Sequence, residues 1–404
     1  MIAGLPSNIF LLFTAAPLLL CVSPVMIFAG TLLAKETAPT PELAALPVTV
    51  MIVTAALSMG PVVRIYQQLG RRKGTWVGVL CTVAGTSICF VAARQGWFAA
   101  LVAGGFFYGV SQAFLHQYRF IGFESLANPE DFPKAFAVLM MSGVVSAWLG
   151  PEIAWQGKDL LEAPFGYAGS FLILLFLHLV AFVVLYRLQD PPVENTTAAT
   201  GGRPLSQIVF QVPWLLSFLA AAIGFGVMAS MMTSTPITMN SGGSFTLKET
   251  KWVMQTHIIA MFLPSPAVPW LITRIGVQGL MFAGSIILIM APLLALTGQE
   301  FVHYFWSLLL LGVGWNFLFQ SGTTLLTTCY RPEERFRVQA VYDTGVIFVQ
   351  ALATLTSVPI LLRLGWGGIS WFSLPFALFM LLAAGAFLVF GRERPPPAPT
   401  PNQL

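Results

Sequence analysis

Two pairs of soft side chains recur at a spacing of one helical turn. Met228 and Met232 stand at i, i+4, and so do His257 and Met261. On a helix that spacing puts both members of a pair on one face. Three thioethers and one imidazole make a neutral, polarisable donor set. Thioethers favour Cu(I), and imidazole accepts copper in either state. In an antiparallel hairpin turning within residues 240–248, Met232 falls level with His257 and Met228 level with Met261. A blander use exists for each residue. The chain has 15 Met, and methionines fill gaps in packed helices. A lone intramembrane His also serves as a hydrogen-bond partner between helices.

A second set of residues has the chemistry of coupling or gating. Asp343, Glu152, Arg119 and Glu124 lie near the ends of apolar stretches. A carboxyl in low dielectric can titrate near neutrality and so carry a proton. Ion pairing near a membrane face is the alternative, because charges at helix ends reach water at modest cost. Trp315 and Asn316 are candidates for lining a cavity. Catalysis is not expected. There is no P-loop and no serine elbow, and His116, His178, His257 and His303 are dispersed. Cys21, Cys81, Cys89 and Cys329 form no C-x-x-C pair and read as small buried hydrophobes. Asn195-Thr196-Thr197 matches a glycosylation sequon, but it falls in a loop expected to face the cytoplasm.

The elements that must position these residues follow from the distribution of charge. Of 404 residues, 56% are hydrophobic and 9% charged, and mean hydropathy is +0.79. A soluble domain is about one quarter charged, so lipid must solvate most of this surface. The same figures exclude a disulfide scaffold, a disordered chain and a nucleic-acid binder. Gaps between charges match the roughly 20 apolar residues that a span needs. Twelve spans are predicted: 8–33, 43–63, 75–93, 97–118, 135–155, 165–186, 213–239, 251–272, 279–298, 303–325, 338–361 and 369–390. Pro17, Pro24, Pro47, Pro236 and Pro264 fall inside them, where neighbouring helices can satisfy the freed carbonyls.

With the N-terminus inside, Lys35, Arg94, Lys158, Lys248, Lys251 and Arg363 face out. The other fourteen of the 20 Lys and Arg face in, a positive-inside bias that predicts cytoplasmic termini. The first span lacks a basic n-region and reads as a retained helix. Residues 188–212 are rich in Pro, Gly and Thr, which is linker chemistry. They divide an N-terminal half, 1–187, from a C-terminal half, 213–391, with a Pro-rich tail at 392–404. The halves echo each other at an offset near 206: Gly70-Arg71-Arg72 follows the second span, and Arg274-Ile275-Gly276 follows the eighth.

Twelve spans, a six-plus-six split and this paired turn resemble the major facilitator superfamily. Gly70, Arg71 and Arg72 match its loop motif Gly-x-x-x-Asp-Arg-x-Gly-Arg-Arg, whereas Gln67 and Gln68 replace the Asp-Arg pair. The resemblance therefore implies the fold but not the usual charge relay of that loop. Gly150-Pro151 is a fragment of the superfamily's antiporter motif. Within the superfamily, Met228-x-x-x-Met232-Thr-x-Thr-Pro236 and Gln255-Thr-His257-x-x-x-Met261 resemble the CcoA-like copper importers. So do Gly312-Val-Gly314-Trp315-Asn316-Phe317, Gly322-Thr323-Thr324 and Tyr330-Arg331-Pro332-Glu333-Glu334-Arg335. That resemblance implies copper uptake into the bacterial cytoplasm for cytochrome oxidase assembly, with Met228, Met232, His257 and Met261 as ligands. Members associated with riboflavin genes keep the same motifs, so an organic solute such as riboflavin is the alternative cargo.

The sequence thus predicts an all-α inner-membrane protein of twelve spans in two halves. It is read as a secondary transporter rather than an enzyme, monomeric and driven by a gradient. Copper is the expected cargo, and no prosthetic group is expected.

Overall fold

The computed structural model describes residues 5–126, 132–190, 202–241, 245–326, 328–331 and 334–390. Among these residues every regular element is helical, the outcome expected where lipid leaves backbone groups no external partner. The first span is assembled from α1 (Ser7–Leu20), α2 (Val22–Val25), a π-helical turn (Met26–Gly30) and α3 (Thr31–Thr37). A 3₁₀ turn (Pro41–Ala45) leads to α4 (Leu46–Gln95), then α5 (Phe98–His116), α6 (Tyr118–Glu124), α7 (Phe132–Gln156) and α8 (Ala168–Leu185). A short α9 (Leu205–Val209) precedes α10 (Val212–Met239), α11 (Leu247–Phe262), α12 (Val268–Ala295), α13 (Phe301–Leu326) and α14 (Arg335–Phe390).

Among the described residues, eight helical stretches are long and apolar enough to cross a membrane. Three of them exceed 48 residues, and each is broken by one glycine: Gly70 (φ 80°, ψ 170°), Gly276 (φ 73°, ψ 169°) and Gly365 (φ 69°, ψ −171°). Only glycine adopts that conformation readily. Each break ends one span and starts the next, and α7 takes the place of the fifth span, so the architecture agrees with the predicted twelve. The shared backbone at Gly70 and Gly276 matches the repeat read from the sequence. The third break was not read there.

One sequence expectation needs revision. The eighth span was predicted as one helix over 251–272, but α11 stops at Phe262 and a 3₁₀ turn (Ser265–Ala267) intervenes before α12. Pro264 and Pro266 lack the N–H groups that would continue the helix. Asn316 on α13 repairs the break, donating from Nδ2 to the Met261 carbonyl at 2.7 Å and to Ser265 Oγ at 2.9 Å. The linker region, for its part, carries a helical turn that its composition did not announce. Its last residues form α9, whose Ile208 is buried with Trp214, Val338 and Tyr342 of the C-terminal half. The sequon and the Pro-rich tail lie outside the described residues.

Within the N-terminal half α4 packs on α5 and α8, and α1 on α7 and α8. In the C-terminal half α10 and α12 each pack on α13 and α14, and α11 on α13. The halves meet along α7–α11 and α4–α14. Phe176, Val183, Trp371 and Leu382 lie exposed on the outside, a surface suited to lipid rather than water.

The charges sort to two ends. At one, Arg71 pairs with Glu124, Arg72 N–H donates to Asp190, and Asn8 hydrogen-bonds Ser125 and Gln189. At the other lie Arg94, which bonds the Glu162 carbonyl, and Lys158 and Lys251. We call these the inner and outer ends, after the charge bias.

Candidate functional site

The seam between α7 and α11 is built from its outer end. Thr246 caps α11: Glu249 N–H donates to its hydroxyl, and the Glu249 carboxylate accepts from Thr246 N–H at 2.7 Å. This reciprocal box fixes the first turn and places Lys251 against α7. Lys251 Nζ lies 2.7 Å from Glu152 Oε2 and 4.0 Å above the Trp155 ring. Both members are largely buried, with side-chain exposures of 4% for Lys251 and 16% for Glu152. One turn deeper, Gln255 Nε2 donates to the Trp148 carbonyl at 2.7 Å. Glu152, a candidate from the sequence, is therefore one half of a latch across the seam. The sequence placed Lys251 at the outer start of the eighth span without a partner, and its i, i+4 spacing to Gln255 was the available signal.

Deeper in the seam lies an aromatic cluster. Trp315 stacks on Phe319 (5.1 Å, 13°) and meets the ring of Phe225 edge-on (5.0 Å, 86°). Phe262 stands 6.2 Å from Trp315 at 72°. Phe262 also touches α7, since a Cβ added at Gly143 would come within 2.8 Å of its ring. The cluster thus reaches from the C-terminal half into the N-terminal half. Trp315, Phe225, Phe262 and Gly143 each lie thirteen to fifteen residues from the outer end of their own helix, or about 20–22 Å at 1.5 Å per residue. Four helices therefore present these residues at one depth, near the middle of a bilayer. Trp315 is 4% exposed and its Nε1–H has no acceptor. The sequence had named Trp315 and Asn316 as cavity lining. Asn316 instead braces the α11 break, and Gln320 donates to its Oδ1 at 3.2 Å.

The soft residues adjoin this cluster in sequence: Met261 precedes Phe262, and Met228 stands one turn from Phe225. His257 is fully buried, with Met228, Met232 and Met261 nearly so. His257 Nδ1 lies 2.7 Å from the Leu308 carbonyl. A carbonyl only accepts, so Nδ1 holds the proton and Nε2, which has no partner, carries the lone pair. The hairpin expected to bring both pairs together is not a close one. α10 and α11 barely touch, and each packs instead on α13. Among the described residues no three His, Cys, Asp or Glu gather as a metal site.

The remaining candidates lie toward the inner end. Glu124 accepts from Arg71 at both oxygens, with Nε–Oε2 at 2.8 Å. The break at Gly70 brings the backbone to Asp190, whose Oδ1 accepts from Arg72 N–H at 2.8 Å. Arg72 also lies over Trp76 and Tyr186. Asp190, 120 residues from Gly70 in sequence, thus supplies a carboxylate to a loop whose own Asp is replaced by Gln. Arg274, beside Gly276, lies over Trp270. Asp343 is half-buried on α14 beside Tyr342. Arg119 lies on α6, with its side chain outside the described residues. The sequence reading missed Glu334. It is buried where the linker meets the C-terminal half and accepts from Arg203 N–H (2.7 Å), Arg203 Nη2 (2.8 Å) and Arg331 N–H (3.0 Å). Its bond to Arg203, foremost among these, holds its carboxyl down at about 2.

Two bundles meeting along a seam, latched at one end and aromatic at mid-depth, define a polytopic transporter fold. The sequence profile of the Major Facilitator Superfamily matches residues 10–345, and the chain belongs to that superfamily. It is 30% identical over 378 residues to the riboflavin transporter RfnT of Brucella anthropi, covering 93% of this chain and 94% of that protein. It is 26% identical to the uncharacterized MFS-type transporter YddS of Bacillus subtilis over 334 residues, 78% of this chain and 76% of that protein. Among solved structures it is similar to the nucleoside transporter NupG (TM-score 0.67, 14% identity, 96% of this chain and 100% of that one). It is also similar to a bacterial homologue of the human lysosomal transporter Spinster in an inward-facing, occupied state (TM-score 0.72, 11% identity, 95% and 96%). The relatives do not support the expected copper cargo.

Proposed function

We propose that this protein is a secondary transporter of the bacterial inner membrane that imports a small planar organic solute of the riboflavin type. Its termini face the cytoplasm. Halves 1–187 and 213–391, joined by residues 188–212, rock about the seam so that a mid-depth site faces each side in turn. The observation that carries this reading is the aromatic cluster of Phe225, Phe262 and Trp315, which reaches Gly143 across the seam at one depth, with Phe319 stacked on Trp315 a turn further in. Stacked aromatic side chains suit a flat ring system, and the kinship with a riboflavin transporter over nearly the whole chain points the same way. The solute or ion gradient supplies the energy. The test is growth of a bacterium unable to make riboflavin, at low external riboflavin, with and without this gene. Growth and radiolabelled riboflavin uptake are expected with the gene; no uptake from a protein present in the membrane would sink the proposal.

Copper import keeps one supporting observation, the buried His257 Nε2 with no partner. An imidazole whose other nitrogen is fixed by a backbone carbonyl is oriented as metal-binding histidines are. Copper accumulation that is lost in Met228→Leu and His257→Ala, with riboflavin uptake absent, would favour that reading.

A further inference from the structure

Resting on the cargo class proposed above, we infer that Trp315 Nε1–H is the specificity donor of the solute site and bonds a carbonyl at the edge of the planar ring. The argument starts from an unpaired atom. A buried N–H without an acceptor costs folding free energy, because water has been removed and nothing has replaced it. Native interiors rarely keep such groups without a use. Trp315 Nε1 is one of them.

Two other buried indoles share the deficit, Trp214 and Trp366. The ring partners of Trp214 are Phe218 and Tyr342, and Trp366 packs on Tyr304. All of these belong to the C-terminal half, and among the described residues no aromatic contact carries either cluster across to α7 on the opposing half. Trp315 differs because its cluster continues through Phe262 to Gly143 on the opposing half. When the halves move apart, the contact between Phe262 and Gly143 must open, and the neighbouring indole is left beside the space created. An incoming ring can then stack on the aromatic side chains, and its edge carbonyl accepts from Nε1–H. The ligand class follows from this chemistry: a planar heterocycle bearing a carbonyl acceptor on its rim. A purely hydrocarbon ring would leave the N–H unpaired and be selected against.

The test uses Trp315→Phe, which keeps an aromatic face and removes the donor. Uptake of riboflavin is measured in cells, with membrane abundance checked in parallel. The expected result is a KM raised about tenfold with maximal rate changed little, the effect of one lost hydrogen bond. In the unaltered protein, a flavin analogue lacking the ring carbonyl should compete about tenfold more weakly than riboflavin. In Trp315→Phe the two should compete alike, a coupling that a merely structural tryptophan would not produce. An unchanged KM in Trp315→Phe, or equal competition by the analogue in the unaltered protein, overturns the inference; the second measurement stands even if the variant fails to fold. Absence of riboflavin uptake by the unaltered protein would instead defeat the cargo proposal, and this inference with it.

Discussion

The two ends of the molecule hold their charges in opposite ways. At the outer end Lys251 and Glu152 pair across the seam, one from each half. At the inner end Arg71 binds Glu124 within the N-terminal half and Arg72 N–H binds Asp190 where the linker leaves it, while Arg203 binds Glu334 against the C-terminal half. An ion pair that crosses the seam must break when that end opens. Pairs that stay within a half can persist through the whole cycle. In the proposed cycle the outer pair would then belong to the gate, and the inner ones to the rigid bodies that the gate moves.

That contrast can be broken at its strongest point. Lys251→Ala leaves Glu152 partly buried without its cation, and removing one member of a buried pair is costly. Discounted for the residual exposure of Glu152, we expect the outer-closed state to lose about 2 kcal/mol, and riboflavin uptake to fall about tenfold. A reporter cysteine at Leu149, in a background without native cysteines, should label faster from outside. Swapping the charges, Lys251→Glu with Glu152→Lys, should restore part of the loss; equal labelling in all three proteins would remove the gate from the comparison.

Glu334→Ala should act on stability rather than on gating. Its expected signature is a thermal midpoint lowered by about 5 °C in detergent, with uptake per folded molecule within about threefold. The sign of the pH effect follows from the lowered carboxyl. The stabilisation is full above the ordinary carboxylate value of about 4.3 and is lost as pH falls from there through about 2. The midpoint should be flat from neutrality to about pH 5 and decline below it, less steeply in Glu334→Ala. A variant that kept its midpoint and lost transport would reverse the roles assigned to the two ends.

Smaller effects separate the paired turns. Gly70→Ala and Gly276→Ala both place a Cβ at positive φ, a strain of about 1–3 kcal/mol. At Gly70 the Cβ also meets Asp190 at 3.0 Å, whereas at Gly276 its nearest neighbour is Gln278 at 3.4 Å. The Gly70 variant should melt lower, and the reverse order would sever Asp190 from the turn. Least of all should come Met228→Leu and Met232→Leu. These swaps nearly conserve volume and should cost under about 1.5 kcal/mol with riboflavin uptake intact. A large loss of uptake would return those residues to the cargo path.

Charge scarcity made the spans legible, because each polar cluster had to mark an end. The paired turns were legible for a similar reason, since Gly70 and Gly276 each stand beside arginine. Gly365 adopts the same backbone with Arg363 at the spacing that Arg274 has to Gly276, but it stands at the opposite end and has no glycine counterpart at the offset of about 206 that paired the other two. The partners of the site were harder to read. Asp190 meets Gly70 across 120 positions, and Lys251 meets Glu152 across 99, distances over which a single sequence carries no pairing signal. The Pro264 break hid inside an apolar run. The i, i+4 pairs were correctly placed on helices, but spacing along two helices says nothing of a third, and α13 packs against both.

One last consequence belongs to the clasp at Arg203. Asp190 is held by the Arg72 backbone on one half, and Arg203 by Glu334 on the other. From Asp190 to Gly202 the chain, whatever its path, can reach no further than roughly 40 Å when fully extended. In the proposed cycle that length would cap the separation of these two anchors, and with it the swing of one half away from the other at the inner end.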